Sequence, residues 1–294
     1  MSTRTTLKRT IILTSSLTIM LVATSCNLLS PQTDEPLVAI PDVAVTESVP
    51  TDAPPPVEPP TAEFDAVSFS FGPDIAGSWS VEFVPQGPGS TTGAGPIEHT
   101  DPEHIVFSLN NYVTPTTSPT SRHQPQIYIY PAIQMAEQNP VAAPRIADLR
   151  TYLDSPPANL MDQSAAIPLL PLYNAAQVFH TQVKFIEFQN GKGVRFLTEY
   201  SQGPMPVVNA GIFYTFQGLT NDGAYYVAVV MPVNHPSLKT HAEEVMDTEG
   251  DAFMTDPVNY INGISEQLDR QASYTFTPDL AALDAMVETL LVRP

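Results

Sequence analysis

The sequence predicts an α+β fold, in which an antiparallel β-sheet has helices packed on one face, including a C-terminal amphipathic helix. Three observations predict it. Segments that alternate apolar and polar residues come first, paired strand segments joined by Asn- and Gly-containing turns come next, and segments with helical periodicity come last. Because neither an internal repeat nor a second linker interrupts residues 66–294, we expect them to form a single globular domain.

Four strands are predicted at the start of this domain. Segments 67–71 and 79–83 alternate apolar and polar residues, and turn-forming residues separate them at 72–74. Segments 105–109 and 126–130 show the same alternation, with residues rich in Pro, Thr and Ser between them. The domain is therefore expected to open with a run of β-strands.

Two antiparallel hairpins are predicted in the middle of the domain. The first is centred on Asn190-Gly191, a dipeptide favoured where a tight turn needs positive φ, and the second on Asn221-Asp222-Gly223. In chain order, the four strand segments that flank these turns are 182–188, 194–200, 212–216 and 224–230.

Three helices with an apolar stripe are predicted. One covers 145–153, a second begins at Asp256-Pro257, and a third opens at 277–279, since an acidic residue can cap the first turn and Pro is tolerated at the first helical position. Each has an apolar stripe at helical spacing. In chain order the stripes are Ile146, Leu149 and Leu153; Val258, Ile261, Ile264 and Leu268; and Leu280, Leu283, Val287 and Leu290.

The N-terminus has the features of an export signal. Arg4, Lys8 and Arg9 give it a positive charge, and a mostly apolar stretch of about thirteen residues follows at 11–23. A membrane span takes about 20 residues, so this stretch is too short to be one. We therefore expect it to be the core of a cleaved signal peptide.

A lipidation motif follows this stretch. Small residues at 23–25 lead into Cys26, the single cysteine of the chain. The pattern resembles the lipobox of bacterial lipoproteins. The resemblance implies that residues 1–25 are the signal peptide, that Cys26 becomes a lipidated N-terminus, and that the protein is anchored to the cell membrane, facing the extracytoplasmic side. An export signal with a chance cysteine and an uncleaved membrane anchor are the alternatives.

Residues 26–65 are predicted to be a disordered Pro-rich tether. Of the 31 prolines of the chain, nine lie between positions 27 and 65, among Thr, Ala, Val, Asp and Glu and without apolar periodicity. Such a segment cannot bury enough surface to offset the entropy lost on ordering. We expect it to hold the domain away from the bilayer, with a Pro-rich ligand for another domain as the alternative.

Charge and motifs exclude several classes of function. Three of the 12 basic residues and none of the 31 acidic ones precede Cys26, so the chain that remains after cleavage carries a net charge of −22. That charge disfavours nucleic acid and anionic lipid headgroups as partners. With one cysteine there is no intrachain disulfide or CxxC zinc site. The sequence also lacks Gly-x-Ser-x-Gly, His-Glu-x-x-His and Walker A motifs, and it predicts no cofactor.

Part of the domain is similar to PsbP-like domains. The similarity rests on the order of elements and on two segments, Phe-Ser-Phe-Gly-Pro-Asp at 69–74 and Leu-Ala-Ala-Leu-Asp-Ala-Met-Val at 280–287. It leaves out 155–180 and 234–274. PsbP-like domains occur as bacterial lipoproteins and mostly bind other proteins, so the resemblance implies a non-catalytic role. Residues 194–219 also look like uncharacterised bacterial lipoproteins, a likeness that implies no function.

One dense cluster of metal-capable side chains occurs in the sequence. Glu98, His99, Asp101, Glu103 and His104 fall within seven residues. A Zn²⁺ or Ca²⁺ site would need three or four of them to converge, which is difficult in a short segment that contains a proline. An ordinary acidic loop is the alternative.

Two further groups of charged residues have simpler interpretations. The acidic segment 247–251 is expected to be a solvated turn after a helix at 239–246, with a calcium loop as the alternative. Arg195 and Glu199 lie four residues apart on one predicted strand and are interpreted as a surface pair.

Tyrosines on the predicted strands form a candidate binding surface. Tyr128, Tyr130, Tyr225 and Tyr226 lie on strands whose alternate residues face opposite sides of the sheet. An exposed row of tyrosines would bind a saccharide or a peptide through its flat faces. Packing within the core or across strands is the alternative.

These observations favour a membrane-anchored extracytoplasmic lipoprotein that acts as a non-catalytic binding or assembly module for an envelope protein or polysaccharide. The alternative is an envelope hydrolase whose two carboxylates meet only in three dimensions. A cleft holding two facing carboxylates, one with a raised pKa, would favour the hydrolase, whereas a shallow apolar patch would favour binding.

The lipobox leads to a direct prediction. Metabolic labelling with palmitate, followed by mass spectrometry of the mature N-terminus, should find an acylated Cys26 as the first residue, because the leader is removed and the acyl chains provide the anchor. An unmodified Cys26 would rule out the lipid anchor.

Overall fold

The structure is a computed structural model that describes residues 59–88, 99–113 and 122–293. Every described residue lies in one compact unit of the chain. The predicted signal peptide, Cys26 and most of the predicted tether lie outside the described residues. No helix in the described part of the chain is long and apolar enough to span a membrane.

The described residues form strands and helices that alternate in blocks. In chain order the strands are β1 (Thr61–Phe64), β2 (Val67–Ser70), β3 (Ser78–Val84), β4 (Gly87–Pro88), β5 (Thr100–Asp101), β6 (His104–Asn110), β7 (Gln126–Pro131), β8 (Ala176–Phe188), β9 (Gly191–Ser201), β10 (Phe213–Thr220), β11 (Tyr225–Pro232) and β12 (Leu291–Val292). The α-helices are α1 (Ala132–Gln138), α2 (Ala142–Asp154), α3 (Ala242–Thr255), α4 (Pro257–Asp269) and α5 (Leu280–Glu288).

The main sheet has seven antiparallel strands in the order β3-β6-β7-β11-β10-β9-β8. The two predicted hairpins, β8–β9 and β10–β11, form four neighbouring strands that end at the β8 edge. All four predicted opening strands are present as β2, β3, β6 and β7. A second sheet pairs β1, β2 and the C-terminal β12, and β4 pairs with β5. The predicted α+β class is confirmed.

Helices cover both faces of the main sheet, rather than the one face that the sequence predicted. On one face, Ile146 and Leu149 of α2 pack with Phe196 and Phe213. On the other face, α4 and α5 pack with a second cluster that includes Tyr214. Strands that are buried on both sides do not alternate between buried and exposed residues as a half-buried strand does. Every residue of β10 is buried.

The two hairpin turns work by different means. In the first, Phe188 pairs with Gly191, so the turn is one residue earlier than the predicted Asn190-Gly191 turn. Gly191 does not have positive φ; a Cβ there would lie 2.4 Å from the carbonyl oxygen of Leu219, so only glycine allows this close approach. In the second turn, Gly223 has φ +69°, as the turn chemistry predicts.

The C-terminal helices differ in part from their predicted forms. Segment 247–251, the predicted solvated turn, lies inside α3, which runs on to Thr255. Asp256 caps α4 by accepting a hydrogen bond from the backbone N–H of Asn259, as predicted. Ile261 and Leu268 are buried, but Val258 is 67% exposed and lies outside the core. The helical period was therefore correct, and the first residue of the stripe was wrong.

The second sheet begins inside the segment predicted to be tether. Residues 61–64 form β1, pair with β2 and bury Ala62 completely. Regular structure therefore starts five residues before the predicted first domain residue at 66. The alternation that gives β1 its one buried side chain is too short to be recognised next to so many prolines.

A buried ion pair joins the C-terminal helix to the three strands of the main sheet that end at the β8 edge. Asp284 of α5 accepts hydrogen bonds from both Nε and Nη2 of Arg195, each at 3.0 Å, from Nζ of Lys184 at 2.9 Å and from the Tyr214 hydroxyl at 3.1 Å. Asp284 and Arg195 are 4% and 5% exposed. The predicted surface pair of Arg195 with Glu199 is therefore wrong, because both residues are buried and Arg195 pairs with Asp284.

This ion pair predicts a large effect on stability. Replacing Asp284 with Asn leaves the buried Arg195 guanidinium without its counter-charge, and the free energy of unfolding in urea should fall by about 3–5 kcal/mol. Glu288→Gln, on the exposed side of the same helix, is the matched control and should change it by less than about 0.5 kcal/mol. If the Asp284→Asn variant and the control had the same free energy of unfolding, the ion pair would not stabilise the fold.

Candidate functional site

The predicted metal-binding cluster does not converge. Nε2 of His99 lies 3.6 Å from Asp101, which also accepts a hydrogen bond from the side chain of Asn139 at 2.7 Å. The Nδ1 atom of His104 lies 2.8 Å from the carbonyl oxygen of Pro102, and its ring packs against Tyr130. Among the described residues, no three His, Cys, Asp or Glu side chains are placed to hold a metal ion.

Glu98 lies outside the described residues. Glu103 and His104 line a different feature, a cleft of about 220 Å³ between the two sheets. The four described candidate ligands are thus divided between the His99–Asp101 contact and this cleft.

The predicted row of exposed tyrosines is also wrong. Tyr130 and Tyr226 are 2% and 0% exposed and belong to the core on the α2 face. Tyr128 stacks on Tyr130 and donates a hydrogen bond from its hydroxyl to Gln126 Oε1 at 2.6 Å. Tyr225 faces the other side of the sheet and lines the same 220 Å³ cleft as Glu103. The alternative of core and cross-strand packing describes all four, since Tyr225 is partly buried against the core of the other face.

The cleft best suited to a small ligand lies beside α2. It has a volume of about 300 Å³ and is formed by one side of α2, by residues 155–168 and by His180 of β8. We call it the α2 cleft. Ligand pockets are typically concave, mostly apolar and supplied with a few polar groups. The α2 cleft fits this description, with Leu160, Ile167 and Pro168 beside carboxylate, amide and hydroxyl groups.

A larger cleft of about 430 Å³ lies at the β10–β11 turn. It is lined mainly by charged and turn residues, and its Lys192 and Asp154 already pair with each other at 3.0 Å. It is less apolar than the α2 cleft, so the α2 cleft is the stronger candidate.

Tyr152 forms a fixed aromatic wall in the α2 cleft. Its ring stacks on Phe185 with the centroids 5.8 Å apart and the planes 22° from parallel. Burial against the sheet raises the pKa of its hydroxyl above the usual value. Phe185 thus supports one face of the ring, and Tyr152 is among the residues that line the cleft.

Glutamine side chains hold the irregular wall of the cleft in place. Residues 155–175 contain no helix or strand, so their backbone groups need other partners. Gln163 accepts a hydrogen bond from the N–H of His180 and donates one to its C=O, at 2.9 and 2.8 Å. In the same way, Gln177 accepts a hydrogen bond from the N–H of Ile167 and donates one to its C=O. Gln217 makes the same two hydrogen bonds with the backbone of Leu170.

The charges in the α2 cleft are carboxylates. Asp148 comes from α2 and Asp162 from the irregular wall. A hydrogen bond from the backbone N–H of Ser164 to Asp162 lowers the pKa of that carboxyl, so it is ionised at neutral pH. Burial lowers the pKa of His180, whose ring makes a hydrogen bond with the backbone of Leu160, so it is neutral there. None of the lining residues described for this cleft is Lys or Arg.

A raised carboxylate pKa is found elsewhere, at Glu199 near the end of β9. Glu199 is 1% exposed, and burial raises its pKa from 4.5 to about 7. Among the described residues, Oε1 has no hydrogen-bond partner and its charge is opposed by Arg122 at 3.7 Å, while Oε2 accepts a 3.4 Å bond from the N–H of Val208. A Cβ at Gly211 would lie 2.1 Å from Oε1, so a glycine makes room for the carboxylate.

The neighbouring His123 is partly buried. Its ring packs against Phe213 with centroids 4.1 Å apart, and burial lowers its pKa to about 4. Glu199 and His123 therefore share an apolar environment in which neither charged form is favoured. Sequence reasoning missed this site because the alternation of β9 places Glu199 on a face that only the tertiary packing buries.

Comparisons of the chain with models of known families, with curated proteins and with solved structures find no match. The lipobox and the resemblance to PsbP-like domains therefore stay predictions. The α2 cleft is formed largely by residues 155–168, within the segment that this resemblance leaves out.

Glu199 predicts a specific pH dependence of stability. Because the folded state holds the Glu199 proton more tightly than the unfolded state, stability should be lost as the pH rises from 4.5 to about 7, by about 3 kcal/mol in total. Glu199→Gln removes this contribution. Histidines with lowered pKa values contribute with the opposite sign, so the quantity to measure is the difference between wild type and variant in urea unfolding across pH 4 to 8.

Glu187→Gln, at an exposed position on β8, is the matched control and should give a flat difference across the same range. A flat difference for Glu199→Gln as well would mean that the carboxylate titrates normally in the folded protein.

Proposed function

We propose that the chain is a lipid-anchored extracytoplasmic binding module and that the α2 cleft holds a saccharide segment of an envelope polysaccharide. The observation that carries the proposal is the composition of the cleft: a supported Tyr152 ring, an apolar floor and a rim of hydrogen-bond acceptors. A sugar ring has C–H groups on its faces and hydroxyls around its edge. It matches a flat aromatic wall next to carboxylates and amides.

The charges of the cleft support a neutral ligand rather than an anionic one. Asp148 and Asp162 repel phosphates and carboxylates, while their oxygens accept hydrogen bonds from hydroxyl groups. Asn159 adds an amide to the same rim; its own Oδ1 accepts a bond from the N–H of Met161, so its N–H₂ group is directed by the loop. The lipid anchor and tether would present this cleft to the cell envelope.

A fixed loop also supports binding. The glutamine contacts of the wall order the cleft before the ligand arrives, so little conformational entropy is lost on binding. This geometry favours recognition of one saccharide shape over adaptation to many.

The hydrolase remains the second candidate, because Asp148 and Asp162 share one cleft. Glycoside cleavage needs one carboxylic acid that keeps its proton near neutral pH. Asp162 has a lowered pKa, and the carboxylate with the raised pKa, Glu199, is not part of the cleft. The described geometry thus favours binding over cleavage.

Calorimetric titration of the full chain with oligosaccharides prepared from bacterial envelope polysaccharides tests the proposal. At least one saccharide should bind, and Tyr152→Ala should weaken its affinity by about tenfold, because the stacking surface is lost. Tyr274→Ala removes a tyrosine that is 77% exposed outside the cleft and should bind as tightly as wild type. Asp148→Asn should also weaken binding, whereas Asp154→Asn, at the end of the same helix, should not.

The same mixtures separate the two functions. Intact oligosaccharides after long incubation are expected of a binding module, whereas shortened products that disappear in the Asp148→Asn variant would establish the hydrolase. Affinities unchanged by Tyr152→Ala would overturn the assignment of the ligand to the α2 cleft.

A further inference from the structure

The two edges of the seven-stranded sheet differ in how their backbone groups are satisfied. The β8 edge is covered by side chains, since Gln163 pairs with both backbone groups of His180 and Ser265 donates to the same carbonyl at 2.7 Å. Among the described residues, no side chain covers the β3 edge in this way. In the described chain, β3 pairs with β6 on one side and makes no hydrogen bond on the other.

The direction of the free backbone groups on β3 follows from its neighbours. The N–H of Leu109 in β6 donates to the carbonyl of Pro125, on the β7 side of that strand, at 2.9 Å. Alternate residues of a strand direct their N–H and C=O groups to opposite sides, so the backbone N–H and C=O groups of Ser108 and Val106 point toward β3. The backbone N–H and C=O groups of their partners, Ser80 and Glu82, therefore point toward β6.

It follows that Trp79, Val81 and Phe83 direct their N–H and C=O groups outward. The same three residues put their side chains on one face of the strand. Trp79 and Val81 pack partly against the core, and Phe83 is 52% exposed. An edge of this length, with apolar side chains and no Lys or Pro, is the kind of strand that natural sheets usually protect from pairing.

We propose that β3 pairs antiparallel with β3 of a second copy of this chain, centred on Val81. In this register Val81 lies opposite Val81 of the partner subunit, and Trp79 lies opposite Phe83 of the partner subunit. Each of these pairs joins residues whose backbone groups point outward, so each exchanges both of its hydrogen bonds. The exposed Phe83 ring gains an aromatic partner across the strands, an arrangement that stabilises antiparallel pairs.

The sequence of β3 argues for a second copy rather than a foreign strand. Around Val81 it is symmetric in character, with a polar residue on each side and an aromatic residue beyond each of them. A two-fold interface needs this self-complementarity, because the same patch must fit itself. The single charged residue, Glu82, lies opposite Ser80 of the partner subunit, so no like charges face each other across the strands.

The net charge of the chain sets the conditions for pairing. Two acidic copies repel each other over distances that salt screens, so pairing should strengthen as ionic strength rises from low values. The interface lies at the opposite edge of the sheet from β8, whose His180 lines the α2 cleft. The inference therefore goes beyond the proposed function, and neither surface depends on the other.

Cysteine crosslinking in the full chain tests the register. Val81→Cys puts two thiols about 5 Å apart across the two-fold axis, within reach of a bismaleimide that spans about 8 Å. Ser78→Cys, on the same strand, puts them about 20 Å apart, because each Ser78 lies opposite Val84 of the partner subunit. We expect a crosslinked dimer from Val81→Cys and none from Ser78→Cys or from the wild type, whose one cysteine is Cys26.

A second substitution separates pairing from misfolding. Adding Phe83→Lys to the Val81→Cys chain should reduce the dimer at least tenfold, because it puts charge on the edge while altering an exposed side chain. Phe64→Lys, at an exposed position of β1, should leave the dimer unchanged. Equal dimer from Val81→Cys and Ser78→Cys, a crosslink to a different protein, or no crosslink in a Val81→Cys chain that unfolds like wild type would each overturn the proposal.

Discussion

Asp284 is the point on which the arrangement of the domain depends. Its carboxylate meets side chains from three neighbouring strands of the main sheet, Lys184 of β8, Arg195 of β9 and Tyr214 of β10. A buried charge is tolerated only when its partners are in place. A shift of one strand by a single residue would turn its side chain to the other face and leave the carboxylate or Arg195 unpaired. The ion pair thus fixes strand register and helix position together.

The C-terminal strand extends this constraint to the second sheet. Helix α5 ends at Glu288 and leads directly into β12, which pairs with β2. The side chain of Asn190, in the β8–β9 turn, bonds to both backbone groups of Val292 and holds β12 next to the main sheet. The N-terminal strands are therefore held in place by the C-terminal helix and strand and by a turn from the middle of the sequence.

Glutamine amides take the place of backbone partners where regular structure ends. A primary amide carries a donor and an acceptor at nearly the spacing of a peptide group, so one side chain satisfies both backbone groups of a residue. Gln163 and Gln177 do this for the wall of the α2 cleft, and Gln182 donates to the carbonyls of Leu268 and Gln271 at the end of α4. The cleft is consequently part of the rigid fold, although its wall is a loop.

The sequence by itself determined the strand and helix periods, the hairpins and the α+β class, because these depend on local spacing of apolar and turn residues. It also predicted the cap at Asp256. Tertiary structure decided the rest. It turned Arg195 and Glu199 into buried groups with separate partners, placed helices on both faces of the sheet, and made a ligand cleft from α2, a loop and His180. These features depend on burial and on contacts between residues distant in sequence, so local sequence patterns do not predict them.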